Sequence, residues 1–542
     1  MLVRLINRIK VFNNTFFINL ETAKYIKFNK SLFKQTSKES SGIILVDFWN
    51  WNPMVFFWSI LANYIAKKNK LQIRYFYFPF YNMRSEKYLF FKRKLKKIYY
   101  SFNCKFGFTT SGKSLDQKQK LKFIAKFKKF KNKDQLRKYK FKNILIGDLI
   151  HDTVIRTYQI PTIDLIDARL LNKFLEAHLI FLKVEKYLNK NDVKFLIASD
   201  CVYNQFGIIS RICNKKKIKT LYLHYFGRGM YNFKLSTFDK KINSFKNPYY
   251  RYKKIFKSLN PLQQKKGLKI GNDLLMKRIG GDVKSGTPYL DKSPYNSNLI
   301  EKKDKFFNKK NYQTLLLLHN FFDAPHKYRN FIYSDYLEWA LETIKILDKK
   351  KVKTYIKFHP MIIDKIADKE AKEGIMKIVR NNKNFKIINP KTSYKSLINN
   401  GLNSAITCHG TAACELSYFN INVINCGDNP HINYNFCTHT KSKREYINKI
   451  SLIENQTINI NKSEIYEYFY MQYYHFDHKD YKNKFEENFI TKKFYNKSNE
   501  YKINFHNSSK YFNYIIKLQK KKNIKKKLEN YFSEYLSKNR IA

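Results

Sequence analysis

The feature of this sequence that most constrains its fold is a repeated alternation of short apolar runs with amphipathic stretches. One apolar run occupies residues 42–47 (GIILVD), and others lie at residues 71–80, 143–147, 194–199 and 219–224. Such runs are typical of parallel strands that are buried on both faces, and the intervening segments, including 165–188, have helical spacing. The sequence therefore predicts a first α/β unit over residues 41–227.

A second alternation follows, with shorter loops. We predict strands at 312–318, 353–358, 385–388, 404–407 and 422–425, and helices at 334–348, 363–381, 393–399 and 411–419. Repeated βα units predict parallel sheets with helices on both faces. The fold class that we predict is therefore α/β, with two doubly wound domains that face a cleft.

The predicted division of the chain has five parts. They are an N-terminal extension (1–40), the first α/β domain (41–227), an insertion or linker (228–310), the second α/β domain (311–460) and a basic helical tail (461–542). Within the tail we predict one helix over residues 509–540, because apolar residues recur there at helical spacing. Its apolar stripe could lie on an anionic membrane or pack against the rest of the protein.

Charge and cysteine content limit the class of protein. Lys and Arg number 105 against 42 acidic residues, and the net charge of +63 suits anionic partners, although a Lys- and Asn-rich composition also follows from A/T-rich coding. The seven cysteines form no CxxC pair, which argues against a disulfide framework or a zinc knuckle. With no signal peptide, and with its most apolar segment (53–66) too short to span a bilayer, the chain is expected to be cytoplasmic.

The most informative motif joins two predicted strands through a tight turn and a helix. After the strand that ends at Thr407 come His409, Gly410 and Thr411, and Glu415 lies one helical turn further on. Helix N-termini present unpaired N–H groups that suit a phosphate, and glycine allows the ligand a close approach. We predict that this turn binds the phosphate of a nucleotide and that Glu415 reaches a ribose hydroxyl. An ordinary βαβ turn is the alternative.

Two further motifs follow strands of the same predicted sheet. Lys357, His359 and Pro360 (KFHP) close one strand, and residues 319–326 (HNFFDAPH) follow another. Ligands of open α/β sheets bind at the carboxyl ends of strands, so these motifs should meet at one edge. Lys357 and His359 can donate to a phosphate, and Pro360 shapes the turn. Asp323 is the candidate general base, with a helix-capping role as the alternative.

A competing motif, residues 107–114 (GFTTSGKS), fits the P-loop pattern G-x-x-x-x-G-K-[ST]. Residues 96–105 before it do not form the clean apolar strand that a P-loop requires, although Asp200 could supply the partner acid. A P-loop nucleotide enzyme and a non-catalytic polyanion-binding protein therefore stay as alternatives. The Lys-rich stretch behind the motif contains no recognisable nucleic-acid module, so we do not expect nucleic acid as a partner.

Together, the KFHP motif, the Pro-ended strand at 387–390 and the block CHGTAACELSYFNINVINCG at 408–427 resemble bacterial capsule and surface-polysaccharide biosynthesis proteins. These are GT-B-type glycosyltransferases, related to the Kdo and sialic acid transferases that carry a His-Pro motif. Residues 321–347 add to the resemblance, and 146–152 and 203–207 support it more faintly. It covers mainly residues 312–430 and implies a GT-B-like pair of Rossmann-like domains. GT-B-fold nucleotide-sugar epimerases are an alternative.

The resemblance implies a glycosyltransferase of capsule or lipopolysaccharide biosynthesis. The second domain would bind a nucleotide sugar, and the first an acceptor glycan or glycolipid, with peripheral contact to an anionic inner membrane. No metal is implied, and no cofactor apart from the donor substrate. The implied phosphate and ribose contacts come from Lys357, His359, Pro360, His409, Gly410, Thr411 and Glu415, and the implied catalytic residues are Asp323 and His359.

Overall fold

The computed structural model describes residues 18–33, 41–47, 55–78, 93–110, 112–227, 231–241, 243–246, 248–281, 295, 312–327, 331–359, 366–455, 459–475 and 509–541. Its strands are β1 (Ile43–Asp47), β2 (Gln72–Tyr77), β3 (Lys105–Thr109), β4 (Lys140–Phe141), β5 (Ile144–Leu145), β6 (Val193–Ala198), β7 (Lys219–Gly227), β8 (Tyr231–Asp239), β9 (Ser244–Phe245), β10 (Gln313–Leu317), β11 (Lys353–Lys357), β12 (Phe385–Ile388), β13 (Ser404–Thr407), β14 (Asn422–Cys426) and β15 (Thr438–Thr440).

The helices are α1 (Leu20–Leu32), α2 (Val55–Asn69), α3 (Arg93–Ser101), α4 (Gln117–Phe127), α5 (Lys133–Arg137), α6 (Gly147–Tyr158), α7 (Ala168–Lys190), α8 (Tyr203–Lys215), α9 (Tyr252–Lys257), α10 (Pro261–Ile279), α11 (Tyr336–Lys349), α12 (Ile366–Val379), α13 (Tyr394–Asn399), α14 (Ala412–Tyr418), α15 (Lys443–Ser451), α16 (Lys462–Tyr470), α17 (Ser509–Lys522) and α18 (Ile524–Lys538).

The first sheet has the strand order β3-β2-β1-β6-β7-β8-β9. Its first five strands in this order are parallel, and β8 and β9 extend it in antiparallel fashion. Strand β1 is buried at every position because both faces are covered: Leu45 packs in one apolar cluster, and Ile44 and Val46 pack in another. The order reverses between β1 and β6, which makes the sheet doubly wound.

The second sheet is wholly parallel and has the order β12-β11-β10-β13-β14-β15. Counted along the chain this is 3-2-1-4-5-6, the Rossmann order, with its switch point between β10 and β13. The predicted α/β fold class with two doubly wound domains is confirmed.

The two domains share one continuous cluster of buried apolar residues, which includes Phe174 and Val154 of the first domain and Phe322 and Trp339 of the second. Polar contacts also cross the boundary. Buried Asp335, which caps α11 by accepting from the Glu338 N–H at 2.8 Å, accepts the Thr162 hydroxyl at 2.5 Å. This shared core brings the carboxyl ends of the two sheets together.

The segment predicted as an insertion or linker, 228–310, contains β8, β9, α9 and α10 among its described residues. Helix α10 packs along α16 so closely that a Cβ at Gly271 would lie 1.9 Å from the Tyr466 carbonyl oxygen. Glycine is required at this crossing. The boundaries of the predicted divisions stay predictions.

The expected single helix at 509–540 is wrong in one respect. The chain forms two helices, α17 and α18, which are separated at Asn523, where φ is +44°. Asparagine tolerates this left-handed conformation better than most residues, so the chain turns there. Phe512 stacks on Tyr25 with ring centroids 4.3 Å apart, and Phe532 is buried in the same cluster. The apolar stripe therefore packs against the first domain.

A second correction concerns the strand expected at 143–147. Residues Ile144–Leu145 form only half of a small hairpin, and Gly147 already begins α6. The third parallel strand of the sheet is instead the exposed edge strand β3, which lacks the apolar run of a central strand. Among the described helices, none is both long and apolar enough to cross a membrane.

Candidate functional site

Three histidines mark the carboxyl edge of the second sheet. His319, His359 and His409 each lie two residues beyond the end of a strand, after β10, β11 and β13. Because these strands are neighbours around the switch point, the three rings meet: the centroid of His319 is 6.1 Å from that of His359 and 5.8 Å from that of His409. The three motifs predicted to share an edge therefore do so. Pro360 lies outside the described residues.

Burial sets the charge of this histidine cluster. It lowers the pKa of His359 to about 4 and that of His409 to about 3, with the neighbouring His319 adding to both effects. The pKa of His319 is also lowered by burial, against the opposing charge of Asp323. All three rings are therefore neutral at physiological pH and carry one ring N–H each. In His319 and His409 this N–H is at Nδ1 and faces a backbone carbonyl oxygen, that of Asn320 at 3.3 Å and that of Asp428 at 3.1 Å.

The turn after β13 is shaped by its own backbone. His409 Nδ1 lies 3.1 Å from the carbonyl oxygen of Asp428, and the Gly410 N–H donates to Thr407 Oγ1 at 3.3 Å. A Cβ at Gly410 would lie 2.7 Å from that same Oγ1, so this close return needs glycine. Thr411 precedes α14 and makes no side-chain capping bond to it.

Glu415 and Lys357, expected at the ligand, are engaged elsewhere. Glu415 is 2 % exposed, accepts from Arg278 Nε at 2.9 Å and accepts from the Tyr295 hydroxyl at 3.0 Å. Lys357 is buried and donates to the Thr392 carbonyl oxygen at 2.6 Å. Both carboxylate oxygens of Glu415 thus have partners inside the protein, so the expected ribose contact does not fit this structure.

Lys357 and Glu415 nevertheless influence each other. Burial lowers the pKa of Lys357 to about 7, while the charge of Glu415 opposes that shift. The ammonium group also lies 4.1 Å from the centroid of the Tyr394 ring. These residues form a buried polar cluster that supports the sheet edge.

Asp323, the candidate base, lies where the two domains meet. Burial pushes the pKa of Asp323 upward, but His319, Arg156 of α6 and Lys327 outweigh this and hold it below its ordinary value. Asp323 is therefore ionised at neutral pH and is a weak proton acceptor. Its electrostatic interaction with Arg156 crosses from the second domain to the first.

The first domain contributes an acid from its own switch point. Asp200 follows β6, and burial is the main reason that its pKa is raised, with Asp323 adding to the effect and Lys327 opposing it. The carboxyl edges of both sheets therefore face one electrostatically coupled group of side chains. Asp200 was singled out in the sequence only as the partner acid of a P-loop.

A buried pair across the interface was not predicted as functional. The ring atom Nδ1 of His326 lies 2.6 Å from Asp152 Oδ1. The backbone N–H of His326 donates to the other carboxylate oxygen, Asp152 Oδ2, at 3.2 Å. His151 Nδ1 lies 3.2 Å from the same Oδ1. Both residues of the pair belong to segments quoted above, 146–152 and 319–326, but only the fold shows that those segments touch.

These three residues are also one of the two described groups that could hold a metal ion. Interactions with His326 and His151 outweigh burial and hold the pKa of Asp152 below its ordinary value. The 2.6 Å separation is that of a charge-assisted hydrogen bond, so the geometry is that of a carboxylate orienting an imidazole. The arrangement suits proton transfer rather than metal ligation.

Asp47 is a further buried titratable residue, and it was not among the predicted site residues. It ends β1 at the switch point of the first sheet, is 4 % exposed and accepts from the Ser199 hydroxyl. Burial raises the pKa of Asp47 to about 7, against the effect of the Ser199 hydrogen bonds. Its place at the end of an apolar strand was the available signal.

The P-loop alternative does not fit the structure. Gly107 lies within the edge strand β3, and the following helix, α4, begins only at Gln117, four residues after Lys113. In a P-loop the Gly-Lys-Ser/Thr segment leads directly into the helix, whose N–H groups cradle the phosphates. Lys113 instead lies in an exposed loop.

No protein-family model matches the chain, and no curated protein matches it. Solved structures give weak likenesses. The β-Kdo 2,4 transferase KpsC of Thermosulfurimonas dismutans is 12 % identical, with 50 % of this chain and 78 % of that chain covered and a TM-score of 0.29. The UDP-GlcNAc 2-epimerase of Methanocaldococcus jannaschii is 13 % identical, with 80 % and 99 % covered and a TM-score of 0.24.

A third likeness is to Arabidopsis thaliana UGT89C1 complexed with UDP, at 10 % identity, with 80 % of this chain and 93 % of that chain covered and a TM-score of 0.22. At such scores the fold assignment depends on the strand order of the two sheets. What the site does has to be argued from its own residues.

Proposed function

We propose that this protein is a glycosyltransferase that moves a sugar from a nucleotide-sugar donor to a surface glycan or glycolipid, in capsule or lipopolysaccharide biosynthesis. The observation that supports this proposal most directly is the histidine cluster at the switch point of the second sheet, opposite the acids at the domain boundary. Switch points are where open α/β sheets bind ligands, and two such edges can hold a donor and an acceptor together.

In this proposal the ring N–H of His359 and the hydroxyl of Thr411 donate to the donor's phosphate, and Gly410 lets the phosphate approach the turn. His409 holds that turn in place through its contact with the Asp428 carbonyl oxygen. Displacement at the anomeric carbon leaves negative charge on the departing phosphate, and oriented donors stabilise that charge. Lys357 and Glu415 support the edge from within the protein and make no ligand contact. The net charge of +63 suits an anionic donor, an anionic glycan or an anionic membrane surface.

Two residues can accept the proton of the acceptor hydroxyl. Asp323 is ionised but weakly basic, as its lowered pKa shows. His326 is an imidazole oriented by the carboxylate of Asp152, the arrangement that prepares a histidine for general-base catalysis. We therefore assign His326 as the base and Asp152 as its positioning residue, with Asp323 contributing charge.

The test is a thermal-shift screen of the purified chain against CMP, UDP, GDP, ADP and ATP. One nucleotide should stabilise the wild type, and His359→Ala should remove that shift, because a ligand stabilises only the folded state that binds it. Lys113→Ala is the matched control and should keep the shift. Stabilisation that disappears in Lys113→Ala and survives in His359→Ala would overturn the proposal in favour of a P-loop enzyme.

Turnover of the matching nucleotide sugar is the second test. Asp152→Asn should lower kcat by about 10²–10⁴-fold, the usual contribution of general acid–base catalysis, and should change the pH profile. Donor turnover that needs no acceptor would instead support the epimerase alternative.

A further inference from the structure

The connection between β14 and β15, together with β15 itself, gathers three side chains with metal-binding chemistry. His431, Cys437 and His439 each place one ligand atom within 4.8 Å of the other two. Their spacing in the sequence matches no common metal-binding motif. The site adjoins the histidine cluster: His409 interacts electrostatically with His431, and its ring contacts the carbonyl oxygen of Asp428, near the start of the same connection.

His431 is the residue that most needs a partner. It is 1 % exposed, and among the described residues neither Nδ1 nor Nε2 has a hydrogen-bond partner. Its ring lies against Phe436 and Tyr468, with centroids 5.6 Å away in each case. Buried polar atoms are nearly always satisfied, and a neutral imidazole always offers one lone pair. A metal ion would satisfy that lone pair.

The distance between the other two side chains fits a tetrahedral zinc site. Cys437 Sγ lies 3.5 Å from His439 Nε2. Zinc bonds of about 2.3 Å to sulfur and about 2.0–2.1 Å to nitrogen, at a tetrahedral angle, place the two ligand atoms roughly 3.6 Å apart. Asn425 Nδ2 donates to Cys437 Sγ at 3.1 Å, a contact that would also stabilise a thiolate.

His439 would shift its ring proton from one nitrogen to the other when it binds a metal. Its Nε2 lies 3.1 Å from the Tyr434 carbonyl oxygen, the contact of a protonated nitrogen, and its Nδ1 lies 3.3 Å from the Asn429 side-chain amide. Coordination through Nε2 requires the proton to move to Nδ1. The Asn429 Oδ1, which accepts from the backbone N–H of His431 at 3.0 Å, would then exchange that bond for one from His439 Nδ1. Such a hydrogen bond to the second ring nitrogen is the usual support of a metal-bound histidine.

We propose that His431, Cys437 and His439 form a Zn²⁺ site that anchors the connection between β14 and β15. Two neutral imidazoles and one thiolate supply three electron pairs to the ion, and the Cys437 thiol releases its proton to solvent on binding. Water takes the fourth position. This ligand set suits borderline-soft zinc better than Mg²⁺ or Ca²⁺, which take oxygen ligands. The inference does not rest on the proposed function.

The test measures metal in the full-length chain after purification without chelator. We expect about one zinc per chain, and at least a tenfold loss of zinc in both Cys437→Ser and His431→Gln. Cys213→Ser is the matched control, because Cys213 is also a buried free thiol but lies in the first domain. It should keep its zinc. Equal zinc in all four proteins, or none in the wild type, would overturn the site.

A measurement on the wild type alone covers the case in which the variants do not fold. Cobalt(II) added to the chelator-treated protein should give tetrahedral d–d absorption and a thiolate charge-transfer band, and one equivalent of zinc should abolish both. Cobalt spectra without the thiolate band would overturn the proposal. A blue copper protein on purification, with no zinc, would overturn the assignment of the metal.

Discussion

Replacing Glu415 by glutamine tests whether this residue serves the fold or the ligand. The Glu415 side chain is 2 % exposed and that of Arg278 is 13 % exposed, and their ion pair is 2.9 Å long. Glu415 raises the pKa of Arg278 further above its already high ordinary value, so the arginine keeps its charge. Glu415→Gln would leave that charge buried without a counter-ion. Breaking one side of a buried pair costs about 3–5 kcal/mol.

For a domain of 150–250 residues, that loss corresponds to a fall in Tm of roughly 6–20 °C. The assay is thermal unfolding of the ligand-free protein. Adding Arg278→Met to Glu415→Gln should recover most of the loss, because the uncompensated charge is then gone. An unchanged Tm in Glu415→Gln, combined with loss of nucleotide-induced stabilisation, would refute this reasoning and restore Glu415 as a ligand contact.

Three further predictions concern other parts of the chain. Because burial raises the pKa of Asp47 to about 7, above its unfolded value, the folded state holds a proton that the unfolded chain has lost. The free energy of unfolding should therefore fall by about 2–3 kcal/mol between pH 5 and pH 8, and Asp47→Asn should remove this fall. The measurement is urea unfolding of both proteins at the two pH values. The same fall in both proteins would contradict the assignment. Phe532→Ala should cost about 3–5 kcal/mol, since this side chain of α18 is fully buried against the first domain. Lys526→Ala, on the exposed side of the same helix, should change stability by less than about 0.5 kcal/mol. If thermal unfolding shows equal effects, α18 does not pack as described. Lys113→Ala should leave the nucleotide affinity, measured by calorimetry, within about twofold of the wild type, because one exposed loop lysine contributes little to binding. A tenfold loss of affinity would support the P-loop alternative.

Local sequence was sufficient for most of the second sheet. Residues 404–407 and 422–425 form central strands at the predicted positions, because strands buried on both faces are mostly apolar and are bounded by short loops. The edge strand at 385–388 was also predicted correctly. The three histidines could be placed at one edge for the same reason, since the carboxyl ends of neighbouring parallel strands coincide. The doubly wound architecture therefore followed from periodicity alone.

An edge strand of the first sheet and a break in the C-terminal helix were missed. Strand β3 lies at the exposed edge of the first sheet, where Lys105 and Phe106 are both exposed, and it lacks the apolar run that identified the other strands. The break between α17 and α18 at Asn523 could not be predicted, because apolar residues continue at helical spacing on both sides of it. A single left-handed residue redirects the chain without changing the pattern.

The chemistry of the site was decided by contacts between distant parts of the chain. Glu415 meets Arg278 137 positions away, and His326 meets Asp152 174 positions away. Sequence by itself determined which elements form and where their ends carry histidine, because those are local properties. Tertiary structure alone decided which carboxylates are buried, paired or free to act, because burial and counter-charges come from residues that the fold brings together.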